Sequence, residues 1–571
     1  MKRFACLVLA VALNVTTANA DPFALDANAI VRPVTASGGM VVTSEPIATR
    51  IGVDVLRDGG NAVDAAVTLG FVLAVVRPRA GNIGGGGFML IKRRDGGQVE
   101  VIDYRETAPA SADRDMFLDA DGNADPQKSR FSHLSAGVPG TVAGLALALE
   151  QAGTISLGDA LRPAIDLAEN GFIVSEQFAG NTKAYEKRLK QWPASAAVFF
   201  KTDGAPYEAG DVFRQPQLAG TLRAIAENGP SAFYEGETAT LIEREMRAHG
   251  GLITRADMAA YQPRIRQAVQ GTYRSYDVYS MSPPSSGGVH IVQILNILDG
   301  FDLAAAGHNS AQSIHWMAES MKRAYADRSM YLGDPDFADV PVAGLTAKDY
   351  AEVLRRGITD TATASQDIKA GTPPGWESNE TTHFSIVDRH GNAVSNTYTI
   401  NFGFGSGIVV PGTGFLLNNE MDDFSAKPGV PNAYGLIGGT ANAVAPNKRM
   451  LSSMSPTIVL KDGKPFLITG SPGGSRIITT TLQVIINVID FDMNLQEAVN
   501  APRIHHQWLP DELRVEHGIS ADTVALLKFK GHKVKEKSVM GAANSILVDV
   551  ERRIFHGAGD PRRGGVALGL D

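Results

Sequence analysis

Cysteine is nearly absent from this 571-residue chain, with Cys6 the only one. Lys2-Arg3, the short apolar run from Phe4 to Val15 and Ala18-Asn19-Ala20 have the form of a secretory signal, with cleavage expected after Ala20. The run is too short to span a bilayer well, and Cys6 lies too early in it for a lipoprotein. On this reading Cys6 leaves with residues 1–20. The mature chain then has no disulfide, no thiolate nucleophile and no Cys-ligated zinc. An exported protein without disulfides depends on a large core, which this length permits. The expected location is the periplasm, with secretion as the alternative.

Positive charge is also in deficit. The formal net charge is -8, which argues against nucleic acid and anionic membrane as partners. There is no internal repeat and no low-complexity tract. No H-E-x-x-H, Walker A loop or G-x-S-x-G elbow occurs. Gly84-Gly85-Gly86-Gly87 lacks the spacing of a dinucleotide fingerprint and reads as a tight turn feeding a strand. No cofactor or metal is implied.

Hydrophobic content of 44% and charged content of 20% suit a soluble globular enzyme. The length predicts two or more lobes or one large layered domain. Asn61 to Val76 predicts a buried helix that ends before Arg77-Pro78. Ile314, Met317, Met321, Ala324 and Tyr325 recur at helical spacing within 313–332, with Glu319, Lys322 and Arg323 elsewhere, as in a core-facing helix. From Pro33 to about Ala370 the chain reads as helical and irregular. After Thr381 it becomes β-prone, with hairpins at 382–400 and 456–469 and a helix-like run from Ile477 to Ile489. The Gly-, Pro- and Asn-rich stretch from Lys427 to Arg449 is long for a plain connection, as lids often are.

Four groups of residues carry candidate chemistry. A Pro/Gly-rich segment runs into Glu380-Thr381-Thr382-His383-Phe384-Ser385. A threonine hydroxyl becomes a good nucleophile when its own α-amine is free to act as base, which at Thr381 requires a cut after Glu380. Ser471-Pro472-Gly473-Gly474-Ser475 sits between strand and helix, where consecutive N–H groups can converge on an oxyanion. Its simpler reading is a plain turn. Asn418 to Phe424 is a carboxylate cluster, read as a solvated turn, a calcium site without EF-hand spacing, or a pocket for a substrate ammonium. Arg105 could pair with a substrate carboxylate through its planar fork, or simply with Asp103 or Glu106.

Taken together, Ala80 to Met89, Asp103 to Glu106, Thr381 to Ser385, Asn418 to Ser425, Leu451 to Pro456 and Gly470 to Arg476 resemble the γ-glutamyltranspeptidase (glutathione hydrolase) family, in the family's order. The resemblance implies an α+β fold, a four-layer αββα sandwich of the N-terminal-nucleophile hydrolase type. It implies self-cleavage between Glu380 and Thr381 into a large subunit, 21–380, and a small catalytic subunit, 381–571, which together form one αββα unit. Thr381 would then attack γ-glutamyl amides such as glutathione, and water or an amino-acid or peptide amine would take the γ-glutamyl group. By the same resemblance Thr399 orients the nucleophile's amine, and Gly473 and Gly474 form the oxyanion hole. Asn401, Glu420 and Asp423 hold the substrate ammonium, while Arg105, Ser452 and Ser453 hold its α-carboxylate. Tyr434, in the lid-like stretch, is expected to contact Asn401 and close the pocket. Asn401-Phe402-Gly403 departs from the small hydroxyl pair that often follows this asparagine in bacterial relatives, on the acceptor side. The competing readings are a cephalosporin or glutaryl acylase of the same superfamily and a non-catalytic periplasmic amino-acid-binding protein.

Overall fold

The structure, a computed structural model, describes residues 31–373 and 383–571. The signal segment, Glu380, Thr381 and Thr382 lie outside the described residues.

Two seven-stranded sheets stack at the centre. One runs, edge to edge, through Val34–Ala36, Ile554–Ala558, Ser545–Asp549, Lys464–Thr469, Thr457–Lys461, Tyr276–Ser280 and Val269–Tyr273. The other runs through Val566–Leu570, Gly39–Thr43, Phe384–Asp388, Ala393–Thr399, Gly86–Lys92, Glu100–Asp103 and Arg264–Gln267. Neighbouring strands in both are antiparallel.

Period-two side-chain alternation makes these sheets into layers. Met40, Val42, Phe88 and Leu90 point between the sheets and meet Ile458, Ile468 and Ile546 there. Val41, Met89 and Ile91 point the other way, into a second core with the helix Ala62–Val76. Val459 and Leu467 point outward from the first sheet onto Ser286–Leu298 and Arg476–Ile489. The result is the expected αββα sandwich. Each sheet is built from strands of both parts of the chain, those before residue 373 and those after residue 383.

Several predicted elements form as read. Asn61 caps Ala62–Val76 with a capping box, and Arg77 ends it. Both hairpins and the helix at 476–489 are present. One reading is corrected. The N-terminal part is not merely helical and irregular, because it supplies seven of the fourteen strands in the two large sheets. Ala311–Tyr331 is the core-facing helix expected, and it buries its charged face as well as its apolar stripe. Glu319 takes Lys322 at 2.8 Å and Arg323 at 2.7 Å, all three buried. Mutual pairing makes that burial tolerable.

Candidate active site

A cavity of about 360 Å³ opens where strand ends from the second sheet meet the loop 470–475. Of the predicted site residues, Thr399, Asn401, Glu420, Asp423, Tyr434, Gly473 and Gly474 line it. His383 and Phe384, which follow Thr381 by two and three residues, line it too. Thr399 ends its strand, and its Oγ1 accepts the Asn401 N–H at 2.7 Å. Asn401 itself is left-handed, at φ +69°, a conformation that Asn tolerates better than most residues. Gly85 lets this strand end come close, since a Cβ there would stand 2.0 Å from the Thr399 carbonyl oxygen.

The carboxylate cluster is not a solvated turn. Glu420–Asp423 is one short 3-10 turn whose four residues are all buried. Asn418 anchors the approach, accepting from Gly137 N at 2.9 Å and donating to the Gly137 carbonyl at 2.7 Å. Asp422 accepts from Ser129 and Arg130. Arg105 spends its fork here: one terminal nitrogen donates to Glu420 Oε2 and the other to Asp423 Oδ2, each at 2.7 Å. Glu106 is a weaker partner at 3.4 Å. Asp103 takes only the Arg105 backbone N–H and is paired with Arg266.

Arg105 is fully buried and does not line the cavity, nor do the buried Ser452 and Ser453. The arginine Nε reaches the Met450 carbonyl at 3.4 Å, two residues before the serine pair. Burial pushes the carboxyls of Glu420 and Asp423 upward against the pull of Arg105, Asp423 to about 6. Glu420 Oε1 is buried and has no hydrogen-bond partner among the described residues. A buried acceptor left in this way costs about 1–3 kcal/mol until a donor reaches it.

On the opposite wall, Gly473 (φ +140°) and Gly474 (φ +59°) turn the chain into the helix Arg476–Ile489. A Cβ on Gly474 would stand 2.7 Å from the Tyr434 ring. Tyr434 thus lies directly on the diglycine turn. Its hydroxyl donates to Asn401 Oδ1 at 2.7 Å, and its ring meets Phe402 edge-on at 5.6 Å. An Asx turn holds it in place: Asn432 Oδ1 accepts the N–H groups of Tyr434 and Leu436. The lid-like stretch therefore covers this cavity.

His383 is a cavity residue to which the sequence reading assigned no role. Ser385 donates its hydroxyl to the Asn544 carbonyl, so His383 Nε2–H donates to Ser385 at 2.7 Å and Nδ1 accepts from Thr397 at 3.2 Å. Burial lowers the imidazole to about 3 and keeps it neutral. Five arginines, 77, 79, 188, 476 and 563, also line the cavity and were unassigned. The only hint was Arg77-Pro78-Arg79 at a helix end. Among the described residues two His/Glu groups have metal-like spacing, His133/Glu245/His249 and His315/Glu319/His532, and neither lines the cavity. In the second, Lys322 and Arg323 already occupy the carboxylate.

A four-layer αββα sandwich of two stacked antiparallel sheets, with a cavity lined by Thr399 and a diglycine turn, is the architecture of the N-terminal-nucleophile hydrolases. The sequence profile of the Gamma-glutamyltranspeptidase family matches residues 48–570, and the chain belongs to that family. It is 56% identical over 535 residues to the glutathione hydrolase proenzyme of Escherichia coli K12, covering 93% of this chain and 92% of that one. It is 39% identical over 525 residues to the acylase ACY 1 proenzyme of Pseudomonas sp. V22, covering 90% of each. Among solved structures, a cephalosporin acylase from Bacillus halodurans superposes with a TM-score of 0.85 at 29% identity, over 96% of this chain and 99% of that one. The γ-glutamyltranspeptidase of Helicobacter pylori superposes with a TM-score of 0.57 at 48% identity, over 58% of this chain and 94% of that one.

Proposed function

We propose that this chain is a γ-glutamyl hydrolase and transferase acting on glutathione and related γ-glutamyl compounds, matured by its own cleavage between Glu380 and Thr381. The observation that carries the reading is the cavity's two chemically distinct walls. One presents the paired carboxylates of Glu420 and Asp423. The other presents the Gly473-Gly474 turn beside Thr399 and His383.

In maturation, the Thr381 hydroxyl attacks the carbonyl of Glu380. The peptide bond becomes an ester, and water opens it. In turnover, the freed α-amine of Thr381 takes the proton from its own hydroxyl as the oxygen attacks the γ-carbonyl. The N–H groups at Gly473 and Gly474 receive the developing oxyanion, each worth about 3 kcal/mol of barrier. The proton passes to the departing amine, and water or an acceptor amine releases the γ-glutamyl group. Thr399 orients the Thr381 amine. Glu420, Asp423 and Asn401 hold the substrate ammonium. Arg105 exchanges one carboxylate partner for the α-carboxylate, with Ser452 and Ser453 beside it. Clamping both charges of the head group leaves only an amide at the γ position within reach.

The chain requires no macromolecular partner for this chemistry beyond its own two pieces. Among the described residues no helix is long and apolar enough to cross a membrane. The periplasm is the proposed location, on the signal-like N-terminus.

Denaturing electrophoresis with N-terminal sequencing tests the maturation step. The expected result is two bands, the smaller beginning at Thr381, and one intact band for Thr381→Ala. A single wild-type band would favour a non-catalytic binding protein. Parallel assays with a γ-glutamyl anilide and a glutaryl-cephalosporin separate this reading from an acylase, which the likeness to ACY 1 and to the Bacillus halodurans enzyme keeps in view. Preference for the glutaryl substrate would overturn the γ-glutamyl assignment.

A further inference from the structure

The arginines of the cavity have no part in the reaction just described, and together they are unusual. Arg77, Arg79, Arg188, Arg476 and Arg563 line one cavity, which among the described residues they share with two carboxylates, Glu420 and Asp423. Among the described residues none of the five forms an ion pair.

Their bonds go to uncharged groups. Arg77 donates to the Ser44 carbonyl at 2.6 Å, Arg79 to Asn181 Oδ1 at 3.2 Å and Arg476 to the Gly473 carbonyl at 3.2 Å. Arg188 donates to the Gly403 carbonyl, and its Nε is buried without a partner. Arg79 and Arg188 stand 5.7 and 4.7 Å over the Tyr185 ring. The carboxylates facing the group from outside the cavity are Glu45, toward Arg77, and Asp560, toward Arg563. Asp560 is already paired with Arg503 and Arg562. Glu45 caps the helix Pro46–Arg57, accepting the Ala48 N–H at 2.7 Å.

Burial lowers Arg77, Arg188 and Arg563 to about 10. For Arg563 the next causes are its neighbours Arg79, Arg77 and Arg476, so the guanidiniums repel one another. Arg77, Arg188 and Arg563 remain cationic at neutral pH. Half-buried guanidiniums that repel each other and lack carboxylates are costly unless an anion joins them, and their planar forks suit a carboxylate. The acid wall takes the ammonium end of the donor. The arginine wall is left for what lies beyond the scissile amide.

We propose that these arginines form an anion subsite for the leaving group, so that the enzyme selects γ-glutamyl donors whose departing amine carries a carboxylate. The inference rests on the γ-glutamyl reading above.

The test compares two γ-glutamyl anilides of similar size, one neutral and one with a ring carboxylate, using the processed two-chain enzyme. The wild type is expected to favour the carboxylated donor about tenfold in kcat/KM at low ionic strength, with the ratio falling as salt screens the site. The double variant Arg79→Gln/Arg563→Gln is expected to lower that ratio about tenfold, with processing and thermal midpoint followed as controls. Arg79→Glu should lower it further. If the variants do not fold, the salt dependence of the wild-type ratio decides alone. Turnover of both donors at a ratio unmoved by salt or by the folded variants overturns the subsite and leaves the γ-glutamyl reading intact. Turnover of neither donor overturns both.

Discussion

The Tyr434 hydroxyl donates to Asn401 Oδ1 at 2.7 Å, fastening a loop residue to the end of the strand pair that carries Thr399. The contact expected of the lid-like stretch is present, and it has a second component. The same ring lies on Gly474, so one residue covers both the strand end and the diglycine turn.

Tyr434→Phe removes the hydroxyl and keeps the ring. A neutral hydrogen bond of this kind is worth about 1 kcal/mol, so the KM for a γ-glutamyl anilide should rise about fivefold with kcat little changed. Tyr434→Ala also uncovers Gly474 and should affect both constants. Steady-state kinetics on the two variants measures the difference.

Gly474→Ala places a Cβ at φ +59° and 2.7 Å from the Tyr434 ring. The turn must shift, and its N–H groups with it. Losing one oxyanion donor costs about 3 kcal/mol, so kcat should fall at least a hundredfold. The thermal midpoint should change little, since the position is at the cavity wall.

Acid should weaken substrate binding. Burial raises Asp423 to about 6, and Glu420 moves in the same direction. A raised carboxyl keeps its proton to higher pH, and a protonated carboxyl cannot hold an ammonium. The KM should therefore rise as pH falls through about 6, approaching tenfold per unit, with kcat at saturation much less affected. In Asp423→Asn the KM should be high throughout and this limb shallower. A KM profile from pH 5 to 8 checks both.

Arg105→Ala strands three buried carboxyls, Glu420, Asp423 and Glu106. Breaking such a group from one side costs about 3–5 kcal/mol, seen as a lower urea midpoint. Arg105→Lys keeps the charge but cannot serve two carboxylates 2.7 Å away on separate nitrogens. It should recover part of the stability and little of the activity.

Much of the local structure was legible in the chain. Asn61 before an apolar run, Arg77-Pro78 after it, and polar turns at Asp388–Asn392 and Lys461–Lys464 mark element ends by chemistry that acts over a few residues. The N-terminal strands were missed for a physical reason. Gly39–Thr43 is buried on both faces, so it lacks the polar alternation that marks a half-buried strand, whereas the strand fed by the Gly84–Gly87 turn was expected. The pairing on Ala311–Tyr331 is a different case: local spacing marks the core-facing helix but does not show whether Glu319 is buried with its cations.

By itself the sequence determined the family, the positions of the turns and helix ends, and the residue types available for chemistry. It did not determine which of them meet. Arg105 and Glu420 are 315 residues apart, and only the interleaving of two sheets brings their charges within 2.7 Å. The arginine wall is a sharper case, because its five members come from four distant parts of the chain, and only Arg77 and Arg79 are neighbours along it. Capping, turn geometry and side-chain periodicity are local and can be read along the chain. Charge proximity and burial depend on how distant segments pack, and those the tertiary structure alone decided.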